Sequence, residues 1–215
     1  MPQDPTTLAW LKSQIGAISA NVPSIRTAIA REKEIAIREI RKERIDAVLD
    51  AIGAASTGDG TTADALEKAR RGDLKFLKDS RDYYARIMDD TIAALDLPYQ
   101  QSHRKLDDLN DRAQKDVKGN PAAVLTALLT PAAGKVRTAE TKTKTFFNAI
   151  RAAIDIYMVK AETGRLPEKL PADLPKDLFS GKDFEYEKNR SGFVLRCQGK
   201  DLDKDEIYQY EFKTR

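Results

Sequence analysis

Acidic side chains near the C-terminus have a spacing that could serve a divalent cation. Asp201, Asp203 and Asp205 alternate along the chain, and Glu206 follows them. Hard cations such as Ca²⁺ take oxygen ligands, so these residues are candidate calcium ligands. A solvated, turn-forming acidic loop explains the same residues without a cation, and we favour that interpretation.

Other residue types that carry chemistry are scarce. His103 is the single histidine, without cysteine or acidic partners at the spacing of a metal site. Cys197 is the single cysteine, so it cannot form an internal disulfide, and its alternating pattern predicts a small buried residue. Motifs of phosphate-binding loops, dinucleotide-binding loops, serine hydrolases and zinc proteases do not occur. We therefore predict no catalytic, cofactor-binding or metal-ligating residue and no enzyme activity.

The charge balance bears on the choice of partner. The chain has 37 basic and 34 acidic residues, a net charge of +3, which gives no strong electrostatic argument for nucleic acid. Arg38, Arg41, Lys42 and Arg44 would form a basic binding ridge if they shared one face. Glutamates among these residues favour a solvated helix face instead. The charge balance therefore predicts no nucleic-acid partner, whereas the long amphipathic helices offer surfaces for a protein partner.

The predicted secondary structure that would position these residues changes near residue 164, from helix to an extended elbow and then to strands. Apolar residues from Phe146 to Ala161 recur every three or four positions, which predicts a long helix that ends at Gly164. Three prolines between residues 165 and 175 predict an extended elbow. A period of two then predicts three antiparallel strands, whose alternating residues are Phe184 and Tyr186; Phe193, Leu195 and Cys197; and Tyr208, Tyr210 and Phe212.

The preceding sequence has the three-to-four-residue period of amphipathic helices. Apolar residues from Leu8 to Ile29 form such a stripe, which Pro23 interrupts. The polar stretch Gly53–Gly60 is the best candidate for a mobile loop. We predict a mainly α protein, a bundle of about six or seven helices followed by a small α+β subdomain with a three-stranded antiparallel sheet. The predicted domains are residues 1–134 and residues 135–215.

The tail resembles a known family. Tyr157, Gly164 and Pro167 have the order and spacing found after the long helix of type II secretion pseudopilins. Lys176–Lys182, followed by Phe184–Tyr186 and Gly192–Leu195, resembles the next motif of that family. Large uncharacterised bacterial proteins carry a similar C-terminal domain. The resemblance covers about residues 143–213 and implies a pseudopilin-like fold there.

The resemblance has two departures from the family pattern. The hydrophobic N-terminal helix that builds pseudopilin filaments does not occur in this sequence, and the calcium loop is not clearly present. The resemblance therefore implies a fold and not filament assembly. It suggests a non-catalytic binding or scaffold module, the soluble part of a larger envelope-associated bacterial protein.

A cytoplasmic helical adaptor is the alternative, and nucleic-acid binding or enzyme activity is a weaker hypothesis. An extracytoplasmic or membrane-anchored location, and any membrane association, is expected only if the native protein has a hydrophobic segment upstream of Met1.

Overall fold

The computed structural model describes residues 4–53 and 60–214 as eight helices followed by three strands. This order confirms the predicted fold class, a mainly α helical bundle with a small α+β part at its C-terminal end. The predicted mobile loop, Gly53–Gly60, lies outside the described residues apart from its two ends. Among the helices of the described ranges, none combines the length and apolar character that a bilayer crossing requires.

The helices end at breaks that the sequence contains. Pro23 separates the first two helices, and Pro98 separates the fifth from the sixth. Asp73 caps the fifth helix, because its carboxylate accepts a hydrogen bond from the backbone nitrogen of Phe76 at 3.0 Å. The helices are α1 (Pro5–Ala20), α2 (Ile25–Glu39), α3 (Ile45–Ala51), α4 (Gly60–Arg70), α5 (Leu74–Ala94), α6 (Tyr99–Asp116), α7 (Ala123–Leu129) and α8 (Ala133–Thr163).

The helix count exceeds the expected six or seven because the chain turns between α2 and α3. Ile40 and Ile45, which flank this turn, both have 0 % exposure. In one continuous helix, residues five positions apart would lie about 140° from each other around the axis. The turn allows both isoleucines to enter the same core cluster.

The described chain forms two compact units. Unit 1 contains the described residues up to Pro23, Pro98–Gln100, and the described residues from Arg137 onward. Unit 2 contains the described residues of the ranges 24–97 and 101–136. The predicted division has a single boundary at residue 134. In the structure the chain passes from one unit to the other several times, because each unit contains separate segments.

Unit 2 is a helical bundle with a mainly aliphatic core. Its longest helix, α5, packs against α2 and α7, while α3 packs against α4. Each helix contributes residues three or four positions apart, as the amphipathic pattern predicts. The largest fully buried side chains of this unit are those of Ile40, Ile45, Leu49, Leu66, Tyr84, Ile87, Met88 and Leu125.

Unit 1 contains a three-stranded antiparallel sheet in the order β1 (Glu185–Asn189), β2 (Gly192–Arg196) and β3 (Gln209–Lys213). Asn189 pairs with Gly192, so only two residues form the first hairpin turn, as the local sequence predicts. A Cβ atom on Gly192 would lie 1.9 Å from the carbonyl oxygen of Phe212. Glycine is therefore required where β2 meets β3.

The inner face of the sheet packs against α8. The rings of Tyr157 and Phe193 lie 5.4 Å apart, and those of Phe146 and Tyr210 lie 5.8 Å apart. The predicted packing of strand aromatics on this helix is confirmed. Gly164 ends the helix with a φ of +77°, the conformation that glycine adopts most readily.

One part of the predicted α8 stripe is wrong. Phe146 is 47 % exposed, so it lies at the margin of the core rather than at its centre. The fully buried positions of this part of α8 are Ala149, Ala152, Ala153 and Ile156. Small side chains there allow the large aromatic residues of the sheet to fill the space, a complementarity that periodicity alone does not reveal.

Candidate functional site

The acidic loop near the C-terminus is organised by one buried carboxylate. Asp201 Oδ1 accepts hydrogen bonds from the backbone nitrogens of Asp203 at 3.0 Å and Lys204 at 3.1 Å. Its Oδ2 accepts one from the Tyr208 hydroxyl at 2.7 Å. Asp205 is exposed and pairs with Lys200. The turn-forming interpretation is confirmed for Asp201, although that carboxylate is buried rather than solvated.

This geometry gives no support to the calcium hypothesis. Both oxygens of Asp201 already accept hydrogen bonds, while Asp203 and Asp205 are exposed. Over residues 4–53 and 60–214, no group of three or more histidine, cysteine, aspartate or glutamate side chains is arranged to hold a metal ion.

The single histidine and the single cysteine are both buried. His103 Nδ1 lies 3.0 Å from Asp107 Oδ2, one helical turn away on α6. The sequence analysis missed this acidic neighbour, which has the spacing of an ordinary helix pair. Cys197 follows β2 in the core of unit 1, as its pattern predicts, and burial raises the pKa of its thiol. A raised thiol pKa disfavours the reactive thiolate.

The four basic residues that were considered as a binding ridge do not lie on one helix. Arg38 belongs to α2, whereas Arg41, Lys42 and Arg44 belong to the turn before α3. The Arg44 guanidinium lies 2.7 Å from the Glu39 carboxylate, and its hydrogen bond is the main cause that lowers the pKa of Glu39. The arginines thus surround a carboxylate rather than a vacant anion site.

Asp177 forms another buried carboxylate cluster of unit 1, and the sequence analysis assigned it no role. Its Oδ1 accepts a hydrogen bond from Phe179 N at 2.9 Å. Its Oδ2 accepts hydrogen bonds from the Ser180 hydroxyl at 2.7 Å, Gln198 N at 3.0 Å and Gly199 N at 2.8 Å. This side chain joins the turn before β1 to the segment after β2. Its contacts are those of a structural residue.

Described residues line a depression in unit 1 and another in unit 2. In unit 1, a groove of about 340 Å³ lies between α1, α8 and the elbow, and Lys12 Nζ lies 2.5 Å from Asp155 Oδ1 in its lining. In unit 2, a cleft of about 500 Å³ is lined mainly by charged side chains. Its Lys75 and Asp79 pair at 2.6 Å. Ion pairing leaves little net charge in the cleft to attract a ligand.

The outer face of α1 is the most unusual surface of unit 1. Trp10 is 59 % exposed, Ile18 is 52 % exposed and Leu11 is 37 % exposed. With Ala17 these residues form what we call the α1 surface. The opposite face of the helix contains Leu8, Lys12 and Ile15, which are buried or half-buried. The helix therefore has apolar residues on both sides, and only one side is covered.

The sequence analysis identified some of the apolar residues of α1 but not the exposed surface that they form. Its amphipathic stripe included Leu8, Leu11 and Ile18, and of these three residues the structure buries only Leu8. Trp10 was missed because it lies off the stripe. The available signal was composition: in Pro5–Ala20 the only charged residue is Lys12, and a surface helix is normally richer in charge.

Comparison of the chain with protein-family models, curated proteins and solved structures finds no match.

Proposed function

We propose that the chain is a non-catalytic binding or scaffold module whose α1 surface binds an apolar helix of a partner protein. The observation that carries this proposal is the exposure of Trp10, Leu11 and Ile18 on a helix that contains one charged residue. Exposed apolar patches on otherwise polar proteins mark interaction sites. Tryptophan is also among the residues that contribute most to protein interfaces.

The chemistry of α1 favours a protein over a lipid surface. Helices that lie on membranes usually carry several lysine or arginine residues on their polar face. In α1 only Lys12 is basic, and its ammonium group is paired with Asp155. An apolar helix would cover the α1 surface through close side-chain packing, without any need for charge.

The resemblance of the tail to type II secretion pseudopilins supports an envelope-associated setting. In this setting the chain is the extramembrane part of a larger bacterial protein. The alternative is a cytoplasmic helical adaptor in which the pseudopilin-like tail has only a structural role. Both alternatives use the same α1 surface, so they differ in location and not in binding chemistry.

Site-specific photo-crosslinking tests the binding proposal. A photoreactive residue at Ala17, which is exposed beside Ile18, should form a crosslink with a defined partner in the native host. The same residue at exposed Lys78 in unit 2 is the control and should not form that crosslink. Trp10→Asp should abolish the Ala17 crosslink without changing thermal unfolding, because Trp10 buries little of its side chain.

Two results would overturn the binding proposal. One is an identical crosslinking pattern from positions 17 and 78, and the other is an Ala17 crosslink that persists in Trp10→Asp. Cell fractionation with protease accessibility on intact spheroplasts then separates the two settings. Protease access from outside the inner membrane supports the envelope setting, whereas protection inside the cytoplasm supports the adaptor.

A further inference from the structure

Within residues 4–53 and 60–214, β3 pairs with β2 along one edge and with no strand along the other. Thr214 N donates to Ser191 O at 2.8 Å, and Cys197 N donates to Tyr208 O at 2.9 Å. Backbone groups of an antiparallel strand alternate in direction from one residue to the next. The groups of Tyr210 and Phe212 therefore point toward β2, and those of Gln209, Glu211 and Lys213 point away from it.

Most of these outward groups have no partner in the part of the chain that the structure describes. The Tyr157 hydroxyl donates to Lys213 O at 2.7 Å, which closes one end of the edge. The outward N–H and C=O groups of Gln209 and Glu211 receive no such contact, and both residues are exposed. Such a row of donors and acceptors is complementary to an extended backbone.

An exposed aromatic surface lies beside this edge. Phe146 is 47 % exposed and its ring lies 5.8 Å from that of half-buried Tyr210. Side chains of a strand alternate between the two faces of the sheet. A strand added to β3 would therefore direct every second side chain toward Phe146 and Tyr210, and the others toward the outer face.

The outer face indicates the charge of the added strand. Glu211 is opposite Val194 of β2 and makes no ion pair within the described residues. A lysine or arginine across from Glu211 would supply the missing charge partner. Pairing with β3 of a second copy about a two-fold axis through Phe212 would also place a lysine, Lys213, across from Glu211, so a second copy is an occupant that the test must separate from a partner segment.

We propose that the β3 edge binds a short extended segment of a protein partner, with an apolar side chain against Phe146 and Tyr210 and a basic side chain across from Glu211. This mode of recognition combines backbone hydrogen bonds for affinity with alternating side chains for specificity. It uses a surface different from the α1 surface. It rests on the proposed function only in taking a protein as the partner.

The test uses the full chain and a fluorophore-labelled five-residue peptide, Glu-Phe-Lys-Val-Thr, whose antiparallel alignment places its glutamate across from Lys213 and its lysine across from Glu211. Binding should slow amide hydrogen exchange at Gln209 and Glu211, because their N–H groups become hydrogen-bonded. Gln209→Pro removes an outward N–H group at an edge position where proline is tolerated. It should weaken binding about tenfold or more, the effect of losing roughly one good hydrogen bond.

Matched controls keep the result specific to this edge. Lys188→Pro introduces the same residue at an outward position of β1, the opposite edge of the sheet, and should leave peptide binding unchanged. Phe146→Ser should weaken binding, because it removes the exposed ring. A peptide methylated on alternate backbone nitrogens should not bind, and this control does not depend on the folding of any variant.

The inference is overturned if the peptide does not bind, or if binding is insensitive to both Gln209→Pro and backbone methylation. It is also overturned if protection of Gln209 and Glu211 rises with protein concentration alone, since a second copy would then occupy the edge. None of these outcomes alters the Ala17 crosslinking result, so failure here and failure of the proposed function are distinguishable.

Discussion

In unit 1 the carboxylates of Asp177 and Asp201 are buried and accept hydrogen bonds from nearby backbone N–H groups. Among the described residues of unit 2, the buried polar side chains are instead hydroxyls and one imidazole. The difference follows from backbone geometry. Helices satisfy their own backbone groups, so unit 2 needs only apolar stripes to pack. Unit 1 contains long segments around its strands that are neither helix nor strand, and their buried N–H groups need side-chain acceptors.

The same comparison explains why acidic residues are poor guides to function in this chain. Asp177 and Asp201 have the burial and multiple hydrogen bonds that a ligand-binding carboxylate would also have. Their partners are turns of their own unit, so these carboxylates stabilise the fold. The surfaces that we propose for binding are instead the apolar α1 surface and the edge of β3.

Removal of the Asp177 carboxylate should have the largest effect. Asp177→Ala leaves the N–H groups of Phe179, Gln198 and Gly199 without their acceptor. Each unsatisfied buried group costs about 1–3 kcal/mol, so we expect the free energy of unfolding to fall by about 3 kcal/mol or more. Urea unfolding measures this loss, and amide exchange should accelerate mainly in unit 1.

The counterpart in unit 2 is Leu49→Ala, which removes a fully buried aliphatic side chain. Its cost, about 2–5 kcal/mol, should come from the cavity rather than from unsatisfied polar groups. Amide exchange should then accelerate mainly in unit 2. Equal acceleration of both units by both variants would contradict the view that the two units have separate sources of stability.

The close approach of two loops around Asp177 gives a second, smaller effect. A Cβ atom on Gly199 would lie 2.3 Å from the carbonyl carbon of Phe179 and 2.4 Å from Ser180 N. These are backbone atoms that the Asp177 hydrogen bonds hold in place. We therefore expect Gly199→Ala to destabilise the protein by about 1–3 kcal/mol, as overpacking does.

Gly72 in unit 2 is the matched control for this prediction. Its φ is +69°, and an added Cβ atom would meet the flexible Lys42 side chain at 2.6 Å. The side chain can move, so the main cost of Gly72→Ala is the left-handed backbone, about 1 kcal/mol. Thermal unfolding should rank Gly199→Ala below Gly72→Ala in stability, and the reverse order would argue against a rigid Asp177 cluster.

Periodicity was sufficient to predict most of the fold. The three-to-four-residue stripe predicted the helix that ends at Gly164, and the two-residue period predicted the three strands. The short turn between Asn189 and Gly192 followed from turn chemistry. These features depend on residues that are close in the sequence.

The features that sequence reasoning missed depend on residues that are distant in the chain. Asp177 stabilises the fold because the backbone of Gln198, 21 residues later, comes within hydrogen-bond distance of its carboxylate. Only the folded structure reveals this contact. Phe146 lies on the predicted stripe, but the sheet does not extend far enough to cover it. Exposure of Trp10 likewise depends on which face of α1 is covered, and an apolar residue on either face has the same local pattern.

The smallest expected effect concerns two tyrosine–carboxylate pairs, one in each unit. In unit 2 the Tyr83 hydroxyl donates to Asp116 Oδ2 at 2.7 Å, and burial together with this contact raises the pKa of Tyr83 to about 12. In unit 1, burial and the hydrogen bond to Asp201 raise the pKa of Tyr208 above that of Tyr83. A pKa raised above the unfolded value of 10.0 means that the folded state holds the proton more tightly.

The Tyr83 contribution to stability is therefore complete below the unfolded pKa of about 10, and it is lost as pH rises through about 12. Tyr83→Phe should cost about 1 kcal/mol at neutral pH, the worth of one hydrogen bond. The unfolding free energy of this variant should also fall less steeply than that of the original protein between pH 10 and about pH 12. Tyr208→Phe should also flatten the decline in that window, because above the unfolded pKa of about 10 the unfolded state loses the Tyr208 proton while the folded state keeps it. Tyrosinate absorbance along an alkaline titration, compared between Tyr83→Phe and Tyr208→Phe, should show Tyr83 ionising before Tyr208, and the opposite order would mean that Asp201 holds its tyrosine less tightly than Asp116 does.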